Sequence, residues 1–164
     1  MFEAVQQDGN ALRYASDELK NDREIVLTAV QQNGNSLRYA LDEFKNDKEI
    51  VLKAVRQHGW AFGYASDELK NDREFCLAAV RKSWLAIRYA SEELKKDREF
   101  MLAAVQQDGV ALYDTSDELR GDKEVVLEAV RQRGWLLTYA SYELRDDCEL
   151  LKIARQNGYK GRKM

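Results

Sequence analysis

The chain has 164 residues, 45% of them hydrophobic, and 26 Lys and Arg against 29 Asp and Glu, for a net charge of −3. This composition supports a folded domain and excludes a continuous apolar membrane span; it gives no overall pull toward nucleic acid or anionic lipid, so such binding would need a local patch. Met1-Phe2-Glu3-Ala4 lacks the charged-then-apolar layout of a secretory leader. Cys76 and Cys148 stand far apart with neither a disulfide framework nor a zinc spacing, so the expected setting is cytoplasmic, or a host cytosol if the chain is delivered there.

Residues 1–8 match only the second half of a unit that then recurs every 25 residues. Val5, Val30, Val55, Val80, Val105 and Val130 keep this period, as do Glu18, Glu43, Glu68, Glu93, Glu118 and Glu143. The array therefore opens mid-repeat, as a segment of a longer array or as a native half-repeat cap. In the first helical pattern of each unit, Leu12, Ala15 and Leu19 share a face, with Ala11 beside them and Arg13, Asp17 and Lys20 pointing away. In the second, Ile25, Val26, Leu27, Ala29 and Val30 cover more than half the circumference, which predicts the more buried helix. Asp22 is placed to cap that second helix, Glu24 complements its dipole, and Asn33-Gly34 reads as a stop in which glycine takes a left-handed conformation. The pattern continues to residue 158, its last helix fitting only with one residue deleted, and a basic tail occupies 159–164.

Because 25 residues is close to seven helical turns, one continuous coiled-coil helix is the rival reading. It would bury Asp22 and each equivalent Asp in the seam and would place Gly9, Gly34, Gly59, Gly109 and Gly134 inside a helix, at about 1 kcal/mol each relative to Ala. Both residue types make better sense as punctuation between short helices. Helices of this length are unstable alone, so neighbours must stack. The expected fold is all-α: an α-solenoid of stacked 25-residue helix-turn-helix repeats, about six plus the N-terminal half repeat. With no Pro and no low-complexity linker, residues 1–164 are expected to form one repeat domain.

The segment Leu12 to Val30, L-R-Y-A-S-D-E-L-K-N-D-R-E-I-V-L-T-A-V, resembles a short helical repeat family catalogued as domain of unknown function 4116, and the resemblance covers nearly the whole chain. It implies a multi-repeat array and carries over no catalytic residue. The chain departs from the pattern at Trp84 in place of Gly, at Tyr113-Asp114-Thr115 in place of Arg-Tyr-Ala, and at Cys148 in place of a cation.

Catalysis needs unlike groups converging in a pocket, whereas repeats place like groups in rows. His58, the single histidine, is expected to serve as a helix-end cap. Cys76, at the station of Val26, should be a buried small hydrophobe, and Cys148 should be exposed. No catalytic, cofactor or metal site and no small-molecule substrate is expected. An acid at Glu18 and its equivalents, read as the last turn of a helix, opposes the helix dipole and calls for a partner. That partner is an Arg23-type cation or a neighbouring Tyr14-type hydroxyl; the rival is a carboxylate ladder for a divalent ion. The Tyr14 stations read as inter-repeat packing.

The turn inside each repeat is acidic, whereas the junction between repeats gathers every Trp and several cations: Arg56, His58 and Trp60; Arg81, Lys82, Trp84 and Leu85; Arg131, Arg133 and Trp135. Equivalent stations elsewhere hold Asp8, Asn10, Asn33, Asn35, Asp108 and Val110, so the repeat itself does not demand this pattern. Trp60 and Trp135 are readable as hydrophobic staples or as parts of a partner surface rich in Trp and Arg. The expectation is a non-enzymatic protein-protein interaction scaffold within a larger polypeptide or assembly. The alternative is nucleic-acid binding, supported by Arg13, Arg38 and Arg88 at one station and by Lys160, Arg162 and Lys163, and weakened by the acidic turns.

Overall fold

The structure, a computed structural model, describes residues 1–161, which are helical with no strand among them. Arg162 and Lys163 lie outside the described residues. Ten-residue α-helices recur at Arg23–Gln32, Lys48–Gln57, Arg73–Lys82, Arg98–Gln107 and Lys123–Gln132, preceded by the half-repeat helix Phe2–Gln7 and followed by Cys148–Gln156. Asp22 caps the first of them by accepting from the backbone N–H groups of Glu24 and Ile25 at 2.9 and 3.2 Å, and the equivalent Asp does the same in later repeats. The continuous coiled coil is thereby excluded, since each Asp sits at a helix start. Ile25, Val26, Ala29 and Val30 are buried, as are their counterparts through Val125, Val126, Ala129 and Val130.

The first helical pattern differs from the expectation of a single helix. It splits into a 3-10 helix, Gly9–Tyr14, and a one-turn α-helix, Asp17–Lys20, separated by Ala15 and Ser16 in extended conformation at ψ 149° and 163°. The division recurs in every repeat, from Gly34–Tyr39 and Asp42–Lys45 to Gly134–Tyr139 and Tyr142–Arg145. Where serine stands at this station two hydrogen bonds hold the break; Leu41, at the same station, makes no side-chain cap. Ser16 Oγ accepts from Leu19 N–H, a capping role for which serine is suited. The backbone N–H released at this station donates to the preceding repeat, as from Ser66 to the Lys45 carbonyl and from Ser141 to that of Arg120.

The split also resolves the oddity at Glu18. It stands in the first turn of the short helix, where an acid complements the dipole. Arg23 turns instead to the next repeat, pairing with Asp47 at 3.2 Å and Glu49 at 2.7 Å. Lys48 reaches Asp72 at 2.6 Å, and Lys123 reaches Asp147 and Glu149, both at 2.9 Å. Such exposed pairs add little stability singly, but they join successive repeats in register.

Gly34 is not left-handed; positive φ occurs only at Gly158 and Gly161 among the described residues. The long helix Arg23–Gln32 ends at Asn33, which is extended and whose side chain accepts from Asn35 N–H at 3.0 Å, so one residue closes a helix and opens the next. Glycine is needed at 34 for close approach: a Cβ there would lie 2.3 Å from the Ala54 carbonyl oxygen of the following long helix.

The contacts group the chain into two compact units, Met1–Ser91 and Glu92–Met164, and the division falls within the repeat that holds Trp84 at the glycine station. In the first unit, Phe2–Gln7 and the long helices Arg23–Gln32, Lys48–Gln57 and Arg73–Lys82 stack in succession, and a second layer is made by the 3-10 helices Gly9–Tyr14, Gly34–Tyr39, Gly59–Tyr64 and Trp84–Tyr89. In the second unit, Arg98–Gln107, Lys123–Gln132 and Cys148–Gln156 stack, with Gly109–Asp114 against Gly134–Tyr139. The last helix needs no deletion. Leu150 and Ala154 are buried 25 residues after Val125 and Ala129, while Lys152 and Arg155 fall on the stations of Leu27 and Val30 and are exposed.

Candidate functional site

Most of the polar groups that repeat are already committed to caps and cross-repeat pairs, so a site must come from stations that break the repeat. One lies in the first unit, on the 3-10 layer. Trp60 is 54% exposed and Tyr89 37%, and with Tyr64, Gly63 and Asn35 they line an open groove of about 420 Å³. Gly63 stands where other repeats carry Arg13, Arg38 and Arg88. A Cβ at 63 would lie 2.8 Å from the ring of Tyr89, so the missing side chain is what lets that ring sit beside Trp60 and Tyr64. Arg38 borders the groove: its guanidinium donates to the Tyr39 hydroxyl, stacks 4.4 Å over the Tyr39 ring and interacts with the Tyr64 hydroxyl, interactions that raise its pKa.

The sequence-derived candidates separate by unit. Arg56, Arg81 and Lys82 lie in the last turns of their long helices, exposed and with no carboxylate partner among the described residues. Trp84 and Leu85 are half-buried at the start of Trp84–Tyr89. His58 ends Lys48–Gln57 but makes no capping bond through its side chain, and its Nδ1 is buried without a hydrogen-bond partner; Asp8, Asn33 and Asp108 at the same station each accept from the N–H two residues on. In the second unit, Arg133 pairs with Asp108 at 2.6 Å and Arg131 lies 3.8 Å from Glu128. Trp135 and Tyr113 both pack edge-on against Tyr139, with ring centroids 5.9 and 5.0 Å away. Trp135 thus packs against neighbouring rings, whereas Trp60 lines an open groove.

Cys76 is buried, and burial pushes its thiol up to about 12; Cys148 is exposed. Among the described residues, no group of three or more His, Cys, Asp or Glu is placed to hold a metal ion, and no helix is long and apolar enough to cross a membrane. Sequence reasoning found Trp60 but missed Asn35, Gly63, Tyr64 and Tyr89 as its companions. The available signal was Gly63 interrupting an arginine station in the repeat that carries Trp60.

The family model described as "Domain of unknown function (DUF4116)" matches residues 1–45, 33–70, 47–95, 72–120, 97–145 and 122–159, in overlapping succession along the chain. The chain belongs to this family. Comparison with curated proteins and with solved structures gave no match. Each of these matches is longer than one 25-residue three-segment unit, and the groove is a departure from the repeat to which three successive units contribute: Trp60, Gly63 and Tyr64 come from one 3-10 helix, Tyr89 from the next and Asn35 from the one before.

Proposed function

We propose that this DUF4116 array is a non-enzymatic protein-protein interaction scaffold, with the Trp60 groove as its principal docking surface. The observation that carries the reading is an exposed aromatic groove built by a local break in the repeat, on a unit that also carries the exposed cations Arg56, Arg81 and Lys82. Exposed Trp and Tyr set in a depression can bury large apolar area on binding at little entropic cost, and Trp, Tyr and Arg dominate binding hot spots. The rows of like groups that the repeats generate suit a surface better than a catalytic pocket.

A second reading, nucleic-acid binding, draws support from charge. The 3-10 segments of the first unit and the last turns of the helices before them carry Arg13, Arg38, Arg56, Arg81, Lys82 and Arg88 against Asp8, while the short helices that follow open with Asp17 and Glu18, Asp42 and Glu43, and Asp67 and Glu68. Affinity capture from source-cell lysate with the full chain, with and without nuclease, separates the two. A protein retained after nuclease treatment, and lost when Trp60→Asn replaces the bait, supports the scaffold. Retention of nucleic acid that disappears as salt rises, with no protein captured, overturns it. Asn is native at the equivalent positions 10 and 35, so this variant is expected to keep the fold, with circular dichroism as the control.

A further inference from the structure

We propose that the Trp60 groove binds a proline-containing segment of another polypeptide, in polyproline II conformation and flanked by carboxylates; this rests on the scaffold reading above. The lining has three properties that select this ligand. Its walls are flat rings, Trp60, Tyr64 and Tyr89, meeting in one depression of about 420 Å³. The residues that line it carry an indole N–H, two phenol hydroxyls and the Asn35 amide, a set rich in donors, and no carboxylate residue lines it. Its surroundings are cationic, with Arg38 at Tyr64 on the same layer, and Arg56, Arg81 and Lys82 in the last turns of the long helices that lead into Gly59–Tyr64 and Trp84–Tyr89.

A polyproline II segment answers each property. Its pyrrolidine rings pack on aromatic faces, its carbonyls have no internal partner and accept from the wall donors, and its stiffness lowers the entropy lost on docking. Flanking Asp or Glu would complement the cations. The 164 residues contain no Pro, so the segment comes from outside them. A quaternary ammonium ligand also favours aromatic cages, but here cations border the site and no carboxylate lines it. Single-stranded nucleic acid stacks on rings presented in series. Along this unit the tyrosine row is interrupted, because the face of Tyr39 is covered by Arg38 and Tyr14 stands apart at 78% exposure.

The test titrates the isotopically labelled full chain with a synthetic proline-run peptide carrying aspartates at both ends, following backbone amide shifts and tryptophan fluorescence. The comparison ligands are the same peptide with alanine for proline, its lysine-flanked counterpart, and oligothymidylate. Saturable shifts concentrated at residues 60–64 and 89, at least about tenfold weaker for the alanine peptide and for the Trp60→Asn chain, would bear the proposal out. Gly63→Ala, which intrudes on the Tyr89 seat, should weaken binding as well while the amide spectrum remote from the groove stays unchanged.

Equal affinity for the alanine peptide, preference for the lysine-flanked peptide, tighter binding of oligothymidylate at the same residues, or no binding would each overturn it. Loss of captured protein with Trp60→Asn in the lysate experiment, together with no peptide binding, leaves the scaffold standing and removes only the ligand class.

Discussion

Replacement of Gly34 by Ala separates close packing from left-handed backbone as the reason for glycine at the repeat junction. The φ at this position is ordinary, so alanine meets no backbone strain and, by restricting the unfolded chain, would be expected to stabilise by about 0.4–1 kcal/mol. Its Cβ, however, would lie 2.3 Å from the Ala54 carbonyl oxygen and 3.1 Å from Gln57 Cβ. Ordinary contact begins near 3.4 Å, leaving a shortfall of more than 1 Å against backbone. That same oxygen accepts from His58 N–H at 2.9 Å, so moving it loosens the helix end. Overpacking costs about 1–3 kcal/mol and a weakened hydrogen bond about 1 kcal/mol. The net expectation is destabilisation by about 2 kcal/mol.

Urea unfolding of the full chain followed by circular dichroism measures the change, with amide hydrogen exchange over residues 34–40 as a local readout, since the two compact units need not unfold together. Gly121→Asn is the control, because Asn21 and Asn46 already occupy that station, and it should be neutral or slightly stabilising. Stability of Gly34→Ala within about 0.5 kcal/mol of the parent, with unchanged exchange, would refute the close-approach account.

Three further outcomes are expected. His58→Asp should supply the missing cap to Gly59–Tyr64, as Asp8 and Asp108 do at their stations, and raise stability by about 1 kcal/mol in the same urea assay; unchanged or lower stability counts against it. A thiol reagent applied to the folded chain should modify Cys148 and spare Cys76 until denaturant is added, with labelling sites read by mass spectrometry; native labelling of Cys76 would contradict its burial. Hydrogen bonds from the Lys48 ammonium and from backbone N–H groups hold the Asp72 carboxyl below its ordinary value, and at Asp147 the Leu150 N–H and the Lys123 ammonium do the same. A carboxyl lowered by folding stabilises the fold above its unfolded pKa, near 4, and that contribution is lost as pH falls through the folded value. Melting temperature should therefore decline below about pH 4, and less steeply for Asp72→Asn; an equal slope would show that this carboxylate is not coupled to folding.

The sequence by itself determined the repeat, the family, the all-α class and the burial of the long helix, because these follow from a period of 25 residues and from apolar spacing that one turn of chain can express. It also located the capping role of Asp22, since a cap is made within three residues of itself.

Only the tertiary structure decided how the first helical pattern divides. The N–H groups freed at residues such as Ser66 find their acceptors in the preceding repeat, and no local signal announces a partner about 20 residues away. The same holds for Gly34, whose role depends on the neighbouring long helix, and for Arg23, which passes over nearby Glu18 to reach Asp47 and Glu49. Trp60 was legible as an unusual residue at a variable station. That Gly63 opens the space in which Tyr89 joins it depends on how successive 3-10 helices stack, which is a property of the layer and not of any one repeat.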